Sequence, residues 1–399
     1  MQKNTLLLQA GGESRIPAYM KRIKNREQFE IIVDTCSSGD KVLRGIDKLI
    51  SRITADHHGR SVFQDYRITV PIQLGTESKQ CLFPEFLEAR LSKKSGHLEN
   101  FYRKHREHFR IVETDTSRAF KMAYCFEASA LLNTQEARES IITLAGKLAD
   151  ELHQAHGHQL QLDDAMLDRF IHAMRSEQQT FDARFSEKEQ GIRSFHHALQ
   201  GRSDAALDAL IKTTYRVKLG RAGKRFFEQM PEEFRYFMQA LYSDREVNKQ
   251  VSKIQEFKNF RHDQGERAIE DFLFKKRSES NPDRVTLIIS EDQGARFSIS
   301  SLRKKTENTI FCVSTYGLAQ ALKQLHLVGS ITDVIGEQQL ADTYARHENR
   351  RSRRAPDAQL TMNHVVDPEI EEKWARRLAN VVNWGHWKGA PSHSVSMGR

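Results

Sequence analysis

The sequence of 399 residues lacks any apolar run close to the ~20 residues that a membrane-spanning helix needs. Its start, MQKNTLLLQAGGESRIP, has only the three leucines at positions 6–8 as an apolar core. That core is too short for a secretory signal. The two absences predict a protein with no membrane partner.

Cysteine is scarce, and its spacing is uninformative for metal binding. The chain has four cysteines, and no two of them form a CxxC pair. They are Cys36, Cys81, Cys125 and Cys312. This pattern argues against both a zinc site and a disulfide framework, and it is typical of the reducing cytoplasm. We therefore expect a cytoplasmic protein.

Two common catalytic motifs are also missing. The chain has 17 histidines, but none occurs in the H-E-x-x-H pattern of a helical zinc protease. The GGE sequence near the start lacks the lysine of a phosphate-binding P-loop. The sequence therefore gives no support to a histidine-ligated metal enzyme or to a nucleoside-triphosphatase.

Positive charge is abundant. The formal net charge is +9, which suits a polyanionic partner. No acidic residue occurs between Asp208 and Glu228, a stretch that contains six cations. They are Lys212, Arg216, Lys218, Arg221, Lys224 and Arg225. We expect this tract to contact the phosphate backbone of a nucleic acid without reading its sequence. The alternative is an ordinary solvated helix face.

The order of sequence patterns predicts an α/β domain interrupted by helices. Short β-rich apolar runs occur at 29–33, 66–71, 109–116, 285–289 and 309–313. Between them, 117–261 has apolar residues at helical spacing and no strand-like run. The predicted organisation is an N-terminal extension (1–28), a first α/β segment (29–116), an all-helical insertion (117–261), a second α/β segment (262–333), and a basic linker with a C-terminal helix and tail (334–399).

Acidic residues follow several of these predicted strands. Asp34 ends the run FEIIV, and Asp292 follows TLIIS. Glu77 lies in the first turn after the strand RITV, and Glu266 begins a predicted helix. Open parallel sheets bind ligands at the carboxyl ends of their strands, so we expect these acids to share one cleft. As an alternative, each acid is a turn or helix-capping residue.

Four carboxylates in one cleft would suit a hard divalent cation. Mg²⁺ takes oxygen ligands and keeps several waters, and Mn²⁺ favours the same ligands. Such ions activate water and stabilise the leaving oxygen of a phosphodiester. We therefore predict that Asp34, Glu77, Glu266 and Asp292 are both the metal ligands and the catalytic residues.

Four stretches, in chain order, resemble the PIN-domain nucleases. They are IIVDTCSSGD, VPIQLGTE, GERAI and LIISEDQGAR. The resemblance implies a PIN-like parallel sheet and metal-dependent hydrolysis of RNA, less often of DNA. Ser290 stands where the family usually has threonine. Asp263 and Glu270 compete with Glu266 as the third acid, and the resemblance does not cover the helical insertion.

The expected function is thus that of a metal-dependent endonuclease, with RNA preferred to DNA. Such an enzyme endangers its host, so an inhibitory or regulatory protein partner is expected, and a toxin or phage-defence role would suit it. The alternative is a non-catalytic nucleic-acid-binding or scaffold protein that keeps the fold. An unrelated α/β phosphotransfer enzyme is a third, weaker interpretation.

Overall fold

The computed structural model describes residues 28–54, 63, 65–93, 95–153, 160–198, 204–254, 284–291, 310–352 and 368–387. Five parallel strands form one sheet in the order β3-β2-β1-β4-β5. The strands are β1 Gln28–Val33, β2 Asp65–Pro71, β3 Phe109–Val112, β4 Arg284–Ile289 and β5 Ile310–Val313. The predicted α/β class and its strands are confirmed, although the third strand ends at Val112. Thr114 stops it by capping the next helix.

The central strand β1 has a strand on each edge, and its side chains are buried on both faces of the sheet. Its sequence is therefore apolar. Ile31 lies opposite Ile68 of β2 and opposite Leu287 of β4. Parallel strands covered on both faces read as continuous apolar runs. The one acidic residue within β1, Glu30, is buried and accepts a hydrogen bond from the Thr69 hydroxyl at 2.8 Å.

Twelve α-helices occur among the described residues. They are α1 Asp40–Thr54, α2 Pro84–Lys93, α3 His97–Lys104, α4 Asp115–Ala130, α5 Gln135–His153, α6 Asp164–Ala198, α7 Asp204–Gln229, α8 Glu232–Ser243, α9 Arg245–Val251, α10 Thr315–Gln324, α11 Glu337–Ser352 and α12 Pro368–Trp387. None of these described helices combines the length and apolar composition of a membrane span.

The chain groups into two compact units. The first comprises Met1–Val70, Ser95–Arg110 and Leu273–Arg399. Within it, α10 packs against α1 and α12, and α12 also packs on β5. The ring of Trp374 in α12 meets Phe311 of β5 edge-on, with centroids 6.2 Å apart. The C-terminal helix is therefore part of this unit's core.

The second unit comprises Pro71–Lys94 and Ile111–Phe272 and is mainly helical. Its main helix pair is α4 with α7. Two glycines of α7 allow this close approach. A Cβ at Gly220 would lie 2.3 Å from the Asp115 carbonyl oxygen, and one at Gly223 would lie 2.9 Å from the Met122 side chain.

Residues 71–94 and 111–116 group with the helices, whereas the sequence analysis assigned them to the first α/β segment. Hydrogen bonds explain the grouping of 71–94. The Tyr242 hydroxyl of α8 donates to the Thr76 carbonyl, and the Gln239 amide donates to the Gln80 carbonyl, both at 2.8 Å. The backbone N–H of Leu82 donates back to the Gln239 side chain.

The basic linker that was predicted to begin at residue 334 contains a helix in its first part. The chain is helical from Glu337 to Ser352, as α11. The Tyr344 hydroxyl lies 3.0 Å from the Tyr316 hydroxyl, and the two rings pack edge-on. This contact holds the polar helix α11 against α10. The amino-acid composition of the segment does not reveal it.

Candidate functional site

The direction in which successive strands are added to the sheet reverses at β1. After β1 the chain adds β2 and β3 on one side, and β4 and β5 then follow on the other side. In open α/β sheets, ligands bind at such a switch point, outside the carboxyl ends of the strands. The candidate site is therefore the edge where β1 and β4 end.

Asp34 lies at this edge, directly after β1, and only 6% of its surface is exposed. Its extended backbone caps the short 3₁₀ turn Thr35–Ser37. One carboxylate oxygen accepts a hydrogen bond from the Thr35 N–H at 2.7 Å. The other accepts one from the Ser290 hydroxyl, at the end of β4, at 2.8 Å. The carboxylate is thus held between the two strand ends.

The loop after β1 is joined to β4 at a second point. Ser37 is fully buried, and its hydroxyl donates to the Ile289 carbonyl at 3.0 Å. The Asp34 N–H donates to the same carbonyl at 3.3 Å. Because two donors converge on Ile289, the turn that presents Asp34 keeps a fixed position relative to β4.

A second carboxylate, Glu291, links the ends of β4 and β5. It accepts hydrogen bonds from the N–H of Thr315, at 2.9 Å, and from the Thr315 hydroxyl. The Ser290 N–H donates to the Val313 carbonyl at 3.0 Å. The carboxyl ends of three neighbouring strands therefore carry a row of acids and hydroxyls, with a hydrogen bond across each of the two junctions between strands.

A third carboxylate comes from the C-terminal helix. Glu371 of α12 is completely buried. Its Oε2 accepts hydrogen bonds from both the N–H and the hydroxyl of Ser314, each at 2.9 Å. Ser314 caps α10, and its hydroxyl also accepts from the Gly317 N–H at 3.0 Å. A negative charge at a helix N-terminus is favourable, so Glu371 stabilises the start of α10.

The predicted site residues are not all described. Asp34 lies at the switch point, and β1 and β4 are parallel neighbours, as predicted. Glu77 is exposed on the π-helical turn Gly75–Lys79 of the second unit, whereas Asp34 belongs to the first. Glu266 and Asp292, together with the alternatives Asp263 and Glu270, lie outside the described residues.

The side-chain atoms at this edge are of the type that binds a hard cation. The side chains of Asp34, Ser290, Glu291 and Thr315 offer only oxygen, which Mg²⁺ and Mn²⁺ prefer. Within the part of the chain that the structure describes, no three His, Cys, Asp or Glu side chains are grouped to hold a metal ion.

The predicted basic tract lies on α7, in the second unit. Five of its six cations are exposed, and Arg216 is half-buried. Lys224 lies 3.8 Å from Glu228 one turn later. Because these side chains face solvent, the tract is available for contact with a polyanion.

Sequence reasoning missed two acids of the row. Glu291 follows the same strand as Asp292, and this strand-end position was the available signal. Glu371 offered no signal, since it stands among the charged residues of EIEEK and looks like a surface acid. Only the packing of α12 against α10 shows that it is buried.

No family model matches the chain, and searches of curated proteins and of solved structures give no match either.

Proposed function

We propose that this chain is a metal-dependent endonuclease that hydrolyses RNA in preference to DNA, with a PIN-like sheet as its catalytic scaffold. One observation carries the proposal. Asp34, a buried carboxylate, lies at the topological switch point and is hydrogen-bonded to Ser290 across the β1–β4 junction. A carboxylate that only caps a turn would not need a bond from the neighbouring strand.

Mg²⁺ or Mn²⁺ would be held by Asp34 and Asp292, which belong to the same compact unit. When bound, the ion supplies charge stabilisation and an activated water for attack on the phosphodiester. The Thr35 N–H and the Ser290 hydroxyl have a different task, which is to fix the carboxylate of Asp34. Second-shell partners of this kind orient metal ligands and tune their basicity.

The chain's own contacts show how this orientation is achieved. Thr35 and Ser290 each donate to one oxygen of Asp34, so rotation of the carboxylate would break both bonds. Glu291 is held in the same way by the two donors of Thr315. Glu371 in turn fixes Ser314, the residue before Thr315. The hydrogen bonds that hold these side chains therefore reach from the C-terminal helix α12 to the proposed catalytic edge of the sheet.

The positive charge of the chain supports a polyanionic substrate, because a cluster of acids alone would repel one. The exposed cations of α7 supply contacts that do not depend on base sequence. A toxin or phage-defence role with a controlling protein partner belongs to the same proposal.

The test is cleavage of labelled single-stranded RNA and of the matching DNA, with Mg²⁺ or Mn²⁺ and with EDTA. We expect cleavage that EDTA abolishes and fresh metal restores. Asp34→Asn should lower the cleavage rate at least about 100-fold, the loss typical of a key electrostatic group, and should keep the fold. Asp292→Asn should behave alike.

The matched control is Asp150→Asn, the same change at an exposed position of α5. It should cleave at the wild-type rate. RNA binding without cleavage by the wild-type chain would instead favour a non-catalytic nucleic-acid-binding protein. Wild-type cleavage by both Asp34→Asn and Asp292→Asn would show that the site is assigned wrongly.

A further inference from the structure

Helices α6 and α7 enclose a groove with an aromatic floor. The groove has a volume of about 470 Å³. Phe181 and Phe185 of α6 line it, stacked with ring centroids 6.0 Å apart. The ring of Tyr215 meets both edge-on, at 5.1 and 4.8 Å. The rigid packing of these three rings fixes the distance between the two helices along this stretch.

Cations line the groove from both helices. Arg184 and Lys188 come from α6, and Lys218 and Arg225 come from α7. All four side chains are exposed. None of them forms an ion pair with another residue in the described parts of the chain. Cations kept in solvent without acidic partners are available to an anionic ligand.

The spacing keeps each pair of cations on one side of its helix. Arg184 and Lys188 are four residues apart, about 6 Å along the helix axis. Lys218 and Arg225 are seven residues apart, about 10.5 Å along the axis. Residues at these separations share a helix face. The groove therefore has two rows of cations, four in all, against the two acids Glu177 and Glu187 in its lining. The excess of positive charge suits a ligand with several negative charges in line.

We propose that this groove binds the backbone of single-stranded RNA through Arg184, Lys188, Lys218 and Arg225. A positively charged groove that follows the backbone is a usual part of the sites that bind single strands. Phe181 and Phe185 are buried, so they shape the floor of the groove and the cations supply the contacts. A narrow groove between two helices admits one strand, with phosphates near both rows of cations. The choice of RNA as the ligand rests on the proposed nuclease function.

The groove is lined by only some cations of the basic tract of α7, and by two further cations of α6. Lys218 and Arg225 line the groove, whereas Lys212 and Lys224 do not. Arg184 and Lys188 lie outside the tract altogether, on the preceding helix. If RNA affinity depended only on net charge, removing any two exposed cations would weaken binding equally. A larger loss of affinity for the cations in the groove therefore distinguishes a groove from a basic surface.

The experiment compares three double variants of the full chain, all carrying Asp34→Asn so that the RNA is not consumed. They are Arg184→Gln/Lys188→Gln, Lys218→Gln/Arg225→Gln and, as the control, Arg169→Gln/Arg175→Gln, which changes two exposed arginines of α6 that do not line the groove. Each removes two positive charges. The probe is a fluorescein-labelled oligouridylate of twelve nucleotides, and Kd is measured by fluorescence anisotropy at several salt concentrations.

We expect both groove variants to raise Kd at least about tenfold at 50 mM salt, and to reduce the slope of log Kd against log salt by about 1.4. The control should stay within about twofold of the parent. Equal losses in all three variants, or no loss in the two groove variants, would overturn the proposal. All four groove side chains are exposed, so thermal unfolding should be unchanged. The single changes Arg184→Gln and Arg225→Gln repeat the comparison if a double variant is unstable.

A competition experiment tests the class of ligand. Unlabelled oligouridylate should displace the probe far better than polyglutamate of equal total charge. Equal displacement would assign the groove to an acidic protein and overturn the proposal. Cleavage is measured separately with Asp34 intact. If groove-dependent binding persists but no cleavage occurs, the groove stands and the nuclease proposal fails.

Discussion

Ser290 shows how much one hydroxyl contributes to the proposed site. It is fully buried and donates from the end of β4 to Asp34. Ser290→Ala leaves a buried carboxylate oxygen without this donor, which should lower the free energy of unfolding by about 1–3 kcal/mol. Cleavage should fall about 10-fold or more, the usual effect of losing a second-shell partner. Urea unfolding and RNA cleavage measure the two effects.

The matched control for Ser290→Ala is Ser92→Ala. Ser92 is exposed, and its hydroxyl donates to the Glu88 carbonyl one turn earlier. This variant should match the wild type in both measurements. If Ser290→Ala also unfolds and cleaves like the wild type, the bond to Asp34 does not position the carboxylate.

Lys121 is a buried cation in the second unit. It is completely buried, pairs with Glu113, and lies over the Phe83 ring at 4.1 Å from the centroid. Burial lowers the pKa of Lys121 from 10.5 to about 7. Between these two values the unfolded chain binds a proton that the folded chain lacks. The free energy of unfolding therefore rises with pH in that window because of this residue.

Lys121→Met removes the titrating group and keeps a side chain of similar length. The difference in unfolding free energy, wild type minus variant, should increase by about 1 kcal/mol per pH unit between pH 7.5 and 9.5. Urea unfolding of both proteins at pH 7.5, 8.5 and 9.5 gives this difference. A constant difference across the range would mean that Lys121 keeps its ordinary pKa in the folded state.

The position of a residue in the fold could be predicted from the sequence where its neighbours mark it. Asp34 follows an apolar strand and precedes a turn, and both features are local. Glu371 is buried by residues about 55 positions earlier in the chain, around Ser314 and Gly317. No local pattern records such a contact, so burial of this acid could not be predicted.

At the scale of elements, the contact between α10 and α12 depends on a missing side chain. A Cβ at Gly317 would lie 2.1 Å from Glu371 Oε2 and 3.0 Å from the Val313 Cβ. Gly317→Ala should therefore push the Glu371 carboxylate away from its donors on Ser314, loosen the contact of α12 with α10, and lower the free energy of unfolding by about 1–3 kcal/mol. Trp374 of α12 packs edge-on against Phe311 of β5, so fluorescence quenching by acrylamide reports on the docking of α12.

Gly146→Ala in α5 is the control, because a Cβ there meets nothing within 4 Å. It should stabilise the protein by up to about 1 kcal/mol, since alanine is the better helix former. Unchanged quenching in Gly317→Ala would show that α10 and α12 tolerate a methyl group between them.

Prediction of the elements from the sequence was best where periodicity was strong. The strands near 29–33 and 285–289 and the helix α1 are amphipathic or apolar over their whole length. Helix α11 was missed because its charged sequence has no apolar stripe, and its contact with α10 rests on single residues such as Tyr344. The grouping of 71–94 with the helices depends on side-chain hydrogen bonds to backbone carbonyls, which periodicity does not reveal.

At the scale of the whole molecule, β1 needs β4, which lies far along the chain. Residues 1–116 contain β1, β2 and β3 but lack the partner on the other side of β1. The fragment 1–116 alone would expose the edge of β1 and apolar side chains such as Ile31 and Ile32. We expect an insoluble product or one without a cooperative melt, measured by circular dichroism against the full chain. A sharp, reversible melt of the fragment would contradict this.

The hydrogen bond from Ser290 to Asp34 also sets when the proposed site can first exist. The two residues are 256 positions apart. A ribosome adding about 5–20 residues per second needs about 13 to 51 s to extend the chain from one to the other. Throughout that interval the nascent chain carries Asp34 without its partner strand. Any activity that requires both residues is therefore withheld until Ser290 has been synthesised, and ribosome-bound chains that end before this residue should be inert towards nearby messenger RNA.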